Sequence, residues 1–228
     1  MNDPFGQALL DYYYYGRADS IKVLNQYRDE DAMVPEYLFR DFEGMPELEK
    51  EALREVKGKV IEFGAGAGSH QIWMQTRNID CLAVELSPGA CKVMQLRGVN
   101  SVVHQDFWEF EGKGDTLLMM MNGMGIVGDL QGLRRFLTKA ESWLNPKGQI
   151  LFDSCDIAYV FDDLPLPDQG YYGEIEFQMM YKNTKGNWFK WLYIDPVTLE
   201  FEARKLGWSF HMVSQDEQFQ YLGRLERL

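Results

Sequence analysis

The chain has 228 residues, 46% of them hydrophobic and 14% aromatic, enough for one folded domain with a substantial core. Its 23 basic and 35 acidic side chains leave a formal charge of −12, which repels phosphate backbones and argues against a general nucleic-acid binder. The three cysteines are scattered and form no C-x-x-C pair, which excludes a disulfide framework, and no apolar stretch approaches membrane-spanning length.

Residues 1–45 read as an N-terminal helical arm. Tyr12, Tyr13, Tyr14 and Tyr15 are consecutive, so they cannot share one face of a helix or strand. They either pack the arm on the domain or form a lid over a small substrate, with Tyr15 a candidate contact to it. Ser20 to Tyr27 reads as a short helix and Arg28 to Asp31 as a solvated loop. The opening Met-Asn-Asp-Pro-Phe-Gly lacks the basic-then-apolar pattern of a secretory leader, so with reduced cysteines a cytoplasmic protein is expected.

Pro46 opens a helix on which Leu48, Ala52 and Val56 recur every four residues, with Gly58 just past its end. Val60, Ile61 and Phe63 then form a buried strand that runs into Gly64, Gly66 and Gly68, and Ser69 to Arg77 forms the next helix. Strand, glycine turn and helix make the first half of a Rossmann-like unit. Ile79 to Val84 is the second strand, and it ends in Glu85, 21 residues after Gly64. An acid at that tip accepts hydrogen bonds from ribose hydroxyls. Ser87 caps a helix that starts at Pro88 and stops at Gly98. The third strand, Ser101 to His104, precedes Gln105-Asp106-Phe107. The most apolar run, Thr116 to Met121, is a central strand buried on both faces, ending in Asn122-Gly123. Leu130, Leu133, Leu137, Ala140 and Leu144 mark an amphipathic covering helix. Asn145 to Gly148 is a tight turn, and Gln149 to Phe152 is the fifth strand, ending at Asp153. Pro165-Leu166-Pro167 marks a loop. Residues 173–183 and 187–194 form a hairpin around Thr184-Lys185-Gly186. Residues 196–206 are helical, and 208–215 with 219–227 form a last strand pair.

Glu62-Phe63-Gly64-Ala65-Gly66-Ala67-Gly68 resembles the E/D-x-G-x-G-x-G motif of class I S-adenosylmethionine (SAM)-dependent methyltransferases. Leu144-Asn145-Pro146-Lys147-Gly148 before the fifth strand is similar to a second feature of that family. The resemblance covers residues 46–156 and 197–227. It implies a three-layer α/β/α Rossmann-like seven-stranded sheet in the order 3-2-1-4-5-7-6, with an extra β-hairpin after strand five. It divides one domain into an arm or lid (1–45), a SAM-binding core (46–156), an inserted hairpin (157–195) and a C-terminal helix with its strand pair (196–228).

The implied cofactor is SAM, leaving as S-adenosylhomocysteine (SAH), with no metal. Glu62, Gly64, Ala65, Gly66 and Gly68 would cradle its methionine portion, and Glu85 with Leu86 its ribose. Gln105, Asp106 and Phe107 would meet the adenine, and Asn122 with Gly123 the reacting end. Asn122, Asp153 and Tyr15 are the candidates for the acceptor site. Asn122-Gly123-Met124-Gly125 lacks the [D/N/S]-P-P-[Y/F/W] tetrapeptide of nucleic-acid amino methyltransferases. The expected partner is therefore a small-molecule acceptor, with no nucleic acid or membrane, and the protein a monomer or homodimer. Alternatives are a non-catalytic SAM- or nucleotide-binding protein and an NAD(P)-dependent oxidoreductase. Against the oxidoreductase, the third glycine comes one residue too early for G-x-G-x-x-G.

Overall fold

The arm is a helix followed by two strands: α1 (Pro4–Tyr15), β1 (Ile21–Asn25) and β2 (Glu30–Met33). These coordinates are a computed structural model, in which residues 2–161 and 170–228 are described. The loop expected at Pro165-Leu166-Pro167 lies outside the described residues. After α2 (Glu47–Glu55) come β3 (Val60–Phe63), α3 (Ser69–Thr76), β4 (Cys81–Glu85), α4 (Pro88–Leu96) and β5 (Val102–His104). Next are β6 (Gly114–Met119), α5 (Leu130–Trp143), β7 (Leu144–Cys155), β8 (Glu174–Tyr181), β9 (Thr184–Leu192), α6 (Pro196–Lys205), β10 (Trp208–Gln215) and β11 (Gln220–Arg227).

The larger sheet has seven strands in the order β5-β4-β3-β6-β7-β11-β10. Numbered within that sheet, this is 3-2-1-4-5-7-6, the order expected from the sequence. β4 with β5 and β6 with β7 are parallel, whereas β11 runs antiparallel to both β7 and β10. Parallel strands joined by βαβ crossovers leave their carboxyl ends on one edge, where such sheets bind ligands.

Four sequence expectations are corrected. Residues 20–27 are not a helix. Ile21–Asn25 form β1, which pairs antiparallel with β2 on one side and β8 on the other. β-branched residues and partners on both sides outweigh a weak local helix preference. Glu30 and Asp31 belong to β2 rather than to a loop. The link is a turn in which Asn25 Oδ1 accepts from the Tyr27 and Asp29 N–H groups at 2.9 and 3.0 Å. The β8–β9 turn falls at Lys182-Asn183, where Lys182 has φ +50, two residues before the expected position. The fifth strand also begins earlier. β7 pairs Leu144 with Gly114 and then Gln149 with Thr116, so the Asn145–Gly148 turn is a bulge inside the strand. The hairpin after β7 therefore joins the arm in a second sheet, β2-β1-β8-β9.

The chain forms two compact units. One gathers Met1–Met45, Glu62–Phe110 and Glu176–Phe189, and the other Pro46–Ile61, Glu111–Ile175 and Lys190–Leu228. In the first, Ala65, Ala83, Cys91, Met94 and Val99 form a buried cluster beneath the glycine turn. Ala8, Ile21 and Tyr181 form another, between α1 and the smaller sheet. In the second, Leu117, Phe136, Trp143, Leu151, Phe152 and Trp208 are buried, and the Trp208 indole N–H donates to the Leu137 carbonyl at 3.1 Å.

Candidate active site

In the first unit, β3 ends at Phe63, and the N–H of the next residue, Gly64, donates to the Val84 carbonyl of β4 at 2.9 Å. The chain then turns through glycines with positive φ, of which Gly66 (+55) and Gly68 (+81) need glycine for different reasons. A side chain at Gly68 would point down into the core, 2.8 Å from Met94 Cγ and 3.0 Å from Val99 Cγ2. At Gly66 the nearest atom to that position is Phe5 Cζ at 3.8 Å, so the space above the turn is open.

Glu85, at the tip of β4, is bound into this turn. Its Oε2 accepts from the Gly66 N–H at 2.9 Å and its Oε1 from the Ser87 N–H at 2.8 Å. Burial raises its pKa above the ordinary carboxylate range, against the pull of the Ser87, Gly66 and Leu86 N–H groups, and the nearby Asp3 charge adds to the rise. Two ionised carboxylate oxygens offer about four acceptor sites, so these backbone donors do not exhaust Glu85. Leu86 follows with 48% of its surface exposed. The Gln105 N–H donates to the Glu85 carbonyl at 3.0 Å, which brings the end of β5 beside the same acid.

Beyond Gln105, Asp106 caps a short 3-10 turn, Phe107–Glu109, accepting from the Trp108 N–H through Oδ1 at 2.9 Å. Phe107 is buried against Phe63 and Trp108, with ring centroids 5.4 and 4.5 Å away. His104 Nε2 lies 3.0 Å from the Leu86 carbonyl.

Glu62 faces inward. Its Oε1 lies 2.7 Å from His70 Nδ1, and its Oε2 accepts from Gln71 Nε2 at 2.8 Å. Both oxygens thus pin the first turn of α3 to β3. Arg97, which the sequence reading did not single out, braces the turn from another direction. Its Nη1 donates to the Ala67 carbonyl at 2.6 Å and to Ser69 Oγ at 3.3 Å, and its Nη2 to the Phe39 carbonyl at 3.4 Å. An arginine at the end of a helix carries no local signal for such distant partners.

The tyrosines divide their roles. Tyr12 packs on Phe39 and the Tyr13 hydroxyl donates to the Leu96 carbonyl at 3.1 Å. Tyr15 is 72% exposed and lines an open cavity of about 520 Å³ with Asp11, Arg17 and Lys182. It sits about 15 Å along the helix from Phe5.

In the second unit, the chain leaves β6 through Met121 (φ +68) and Asn122 (φ +54), two consecutive non-glycine residues in the left-handed region. Strain of this kind, of the order of 1 kcal/mol per residue, persists where the surroundings hold it. Here the holder is Asp153 at the end of β7, whose Oδ1 accepts from the Gly123 N–H at 3.0 Å. Burial lifts the Asp153 pKa to about 6. The Asn122 and Gly123 N–H groups oppose that rise and the Glu49 charge adds to it. The Asn122 Oδ1 is buried and has no hydrogen-bond partner among the described residues. Gly125 lets Trp191 approach so closely that a side chain there would lie 1.9 Å from its Nε1. Among the described residues no group of three His, Cys, Asp or Glu side chains is placed to hold a metal ion.

A mostly parallel sheet with a glycine turn after its first strand and an acid at the tip of its second is the Rossmann-like arrangement suited to an adenosine-bearing cofactor. Comparison with solved structures makes this specific. The chain is 38% identical to a SAM-dependent methyltransferase from Bacteroides fragilis solved in complex with SAH, covering 99% of this chain and 95% of that one with a TM-score of 0.92. CcbJ methyltransferase from Streptomyces caelestis shares the fold at 12% identity, covering 100% and 99% with a TM-score of 0.67. The amino pentose methyltransferase CalS10 from Micromonospora echinaspora shares it at 12%, covering 82% and 94% with a TM-score of 0.55. No protein-family model and no curated protein matches the sequence. The chain belongs to the SAM-dependent methyltransferases. SAM is its cofactor, and methyl transfer is its activity. The open space over Gly66 and the spare acceptor sites of Glu85 suit such a group.

Proposed function

We propose that this enzyme methylates a small molecule by direct in-line displacement. In this reading Gly64, Ala65, Gly66 and Gly68 cradle the methionine portion of SAM, and Glu62 holds their helix in place. Glu85 and Leu86 take the ribose, and Gln105, Asp106 and Phe107 line the adenine end. Asn122, Gly123 and Asp153 serve the reacting end. The observation that carries it is the buried Glu85 carboxylate at the tip of β4, held against the glycine turn by the Gly66 and Ser87 N–H groups.

Bound SAM supplies an already activated methyl group, so the protein's task is to align the acceptor and exclude water. Asn122 Oδ1 offers an unused acceptor for an N–H or O–H of the substrate. Asp153, titrating near neutrality, is suited to take up a proton that the acceptor loses. The charge of −12 disfavours a polyanionic acceptor. No helix among the described residues is long and apolar enough to cross a membrane.

The test is SAH release from SAM across a panel of small amines, alcohols and carboxylic acids, with a protein mixture and RNA alongside. Turnover with a small molecule supports the proposal. Turnover confined to protein or RNA overturns it.

A further inference from the structure

The first turn of α1 is built into the surroundings of Glu85. Asp3 caps α1, accepting from the Gly6 N–H through Oδ1 at 2.8 Å. Its Oδ2 accepts from the Ser87 hydroxyl at 2.8 Å and the Gly89 N–H at 2.9 Å. Ser87 in turn caps α4, its Oγ accepting from the Ala90 N–H at 3.0 Å. One carboxylate therefore serves the N-termini of two helices far apart in sequence, where each helix dipole favours negative charge.

The two backbones meet at Gly6 and Gly89. A side chain at Gly89 would lie 2.5 Å from Gly6 Cα, and one at Gly6 would lie 2.6 Å from Gly89 Cα. Neither glycine has a positive φ, so their identity reflects this approach rather than a turn. The approach has two consequences for the glycine turn. Ser87, which bonds Asp3 through its hydroxyl, also donates its N–H to Glu85. Phe5, between Asp3 and Gly6, places its ring edge 3.8 Å from where a side chain at Gly66 would project. Phe5 also packs against the cluster of Ala8, Ile21 and Tyr181 between α1 and the smaller sheet.

We propose that the first turn of α1 is a wall of the cofactor site, in which Phe5 covers the cofactor at Gly66 and Asp3 is the positioning residue that latches this wall to α4. The inference rests on the reading of Gly64–Gly68 and Glu85 as the SAM site. It makes cofactor exchange depend on opening the Asp3 latch.

The experiment is stopped-flow association and dissociation of SAH with the full chain, comparing wild type with Phe5→Ala, Phe5→Leu, Asp3→Ala and Glu85→Ala. Phe5→Ala speeds dissociation about tenfold, and Phe5→Leu restores most of the loss. Asp3→Ala speeds both association and dissociation, which a uniform loss of stability would not do. Wild-type SAH rates in Phe5→Ala and Asp3→Ala, with faster release from Glu85→Ala, overturn the wall and leave the cofactor site standing. Wild-type rates in Glu85→Ala as well overturn both. If Asp3→Ala does not fold, Asp3→Asn takes its place, keeping one acceptor for the Gly6 N–H while losing the oxygen that Ser87 and Gly89 share. Wild-type exchange rates in it overturn the latch, and the Phe5→Ala and Phe5→Leu pair decides the wall.

Discussion

Alanine at Gly66 and alanine at Gly68 separate cofactor space from core packing within one turn. Both residues have positive φ, so each substitution carries a left-handed cost of about 1–2 kcal/mol. At Gly66 no atom lies closer than 3.8 Å to the added methyl, so that cost is the whole loss of stability. At Gly68 the methyl meets Met94 Cγ at 2.8 Å and Val99 Cγ2 at 3.0 Å. Overpacking of this kind adds about 1–3 kcal/mol, for a total of roughly 2–5 kcal/mol. Binding goes the other way. The Gly66→Ala methyl enters the open space above the turn and weakens SAH binding at least about tenfold, or ~1.4 kcal/mol. The Gly68→Ala methyl points into the core, so molecules that remain folded lose less affinity. Urea unfolding and calorimetric titration with SAH on the two variants give both quantities. The reasoning is refuted if Gly66→Ala keeps wild-type SAH affinity, or if it is the less stable of the pair.

Two further predictions concern the acids. Glu85→Ala removes an acceptor that two backbone N–H groups and a ribose would share, and weakens SAM binding by about 1–3 kcal/mol by calorimetry; unchanged affinity contradicts the ribose assignment. The folded pKa of Asp153, about 6, lies above its ordinary 3.8, so the native state holds this proton more tightly than the unfolded chain does. Its stabilising contribution is complete below about pH 4 and is lost as pH rises through about 6, an effect of roughly 3 kcal/mol. In Asp153→Asn, whose Oδ1 can still accept from Gly123, that part of the pH dependence disappears. Parallel pH–stability curves for wild type and variant, measured by urea unfolding, would show that Asp153 is not the group responsible.

The large sheet was legible because its signals are local. Apolar runs end in Gly64, Glu85 or Asn122-Gly123, and Pro88 and Pro196 open helices where a missing N–H costs nothing. The smaller sheet was not legible. β1 and β2 are only five and four residues long, and the sheet they form is completed by β1 pairing with β8, some 150 residues away in the chain. The same limit hid Arg97, Asp3 and Phe5, whose partners at Ala67, Ser87, Gly89 and Gly66 are brought near only by the fold. Glu62 was visible as part of a motif, but its pairing with His70 and Gln71 required α3 to present both side chains to one strand end.

The most direct test of the account is calorimetric titration of the purified wild-type chain with SAH and, in parallel, with NAD. The account predicts micromolar SAH binding, about −8 kcal/mol, and no heat from NAD. Binding of NAD without SAH would contradict the reading of the glycine turn and of every cofactor contact built on it.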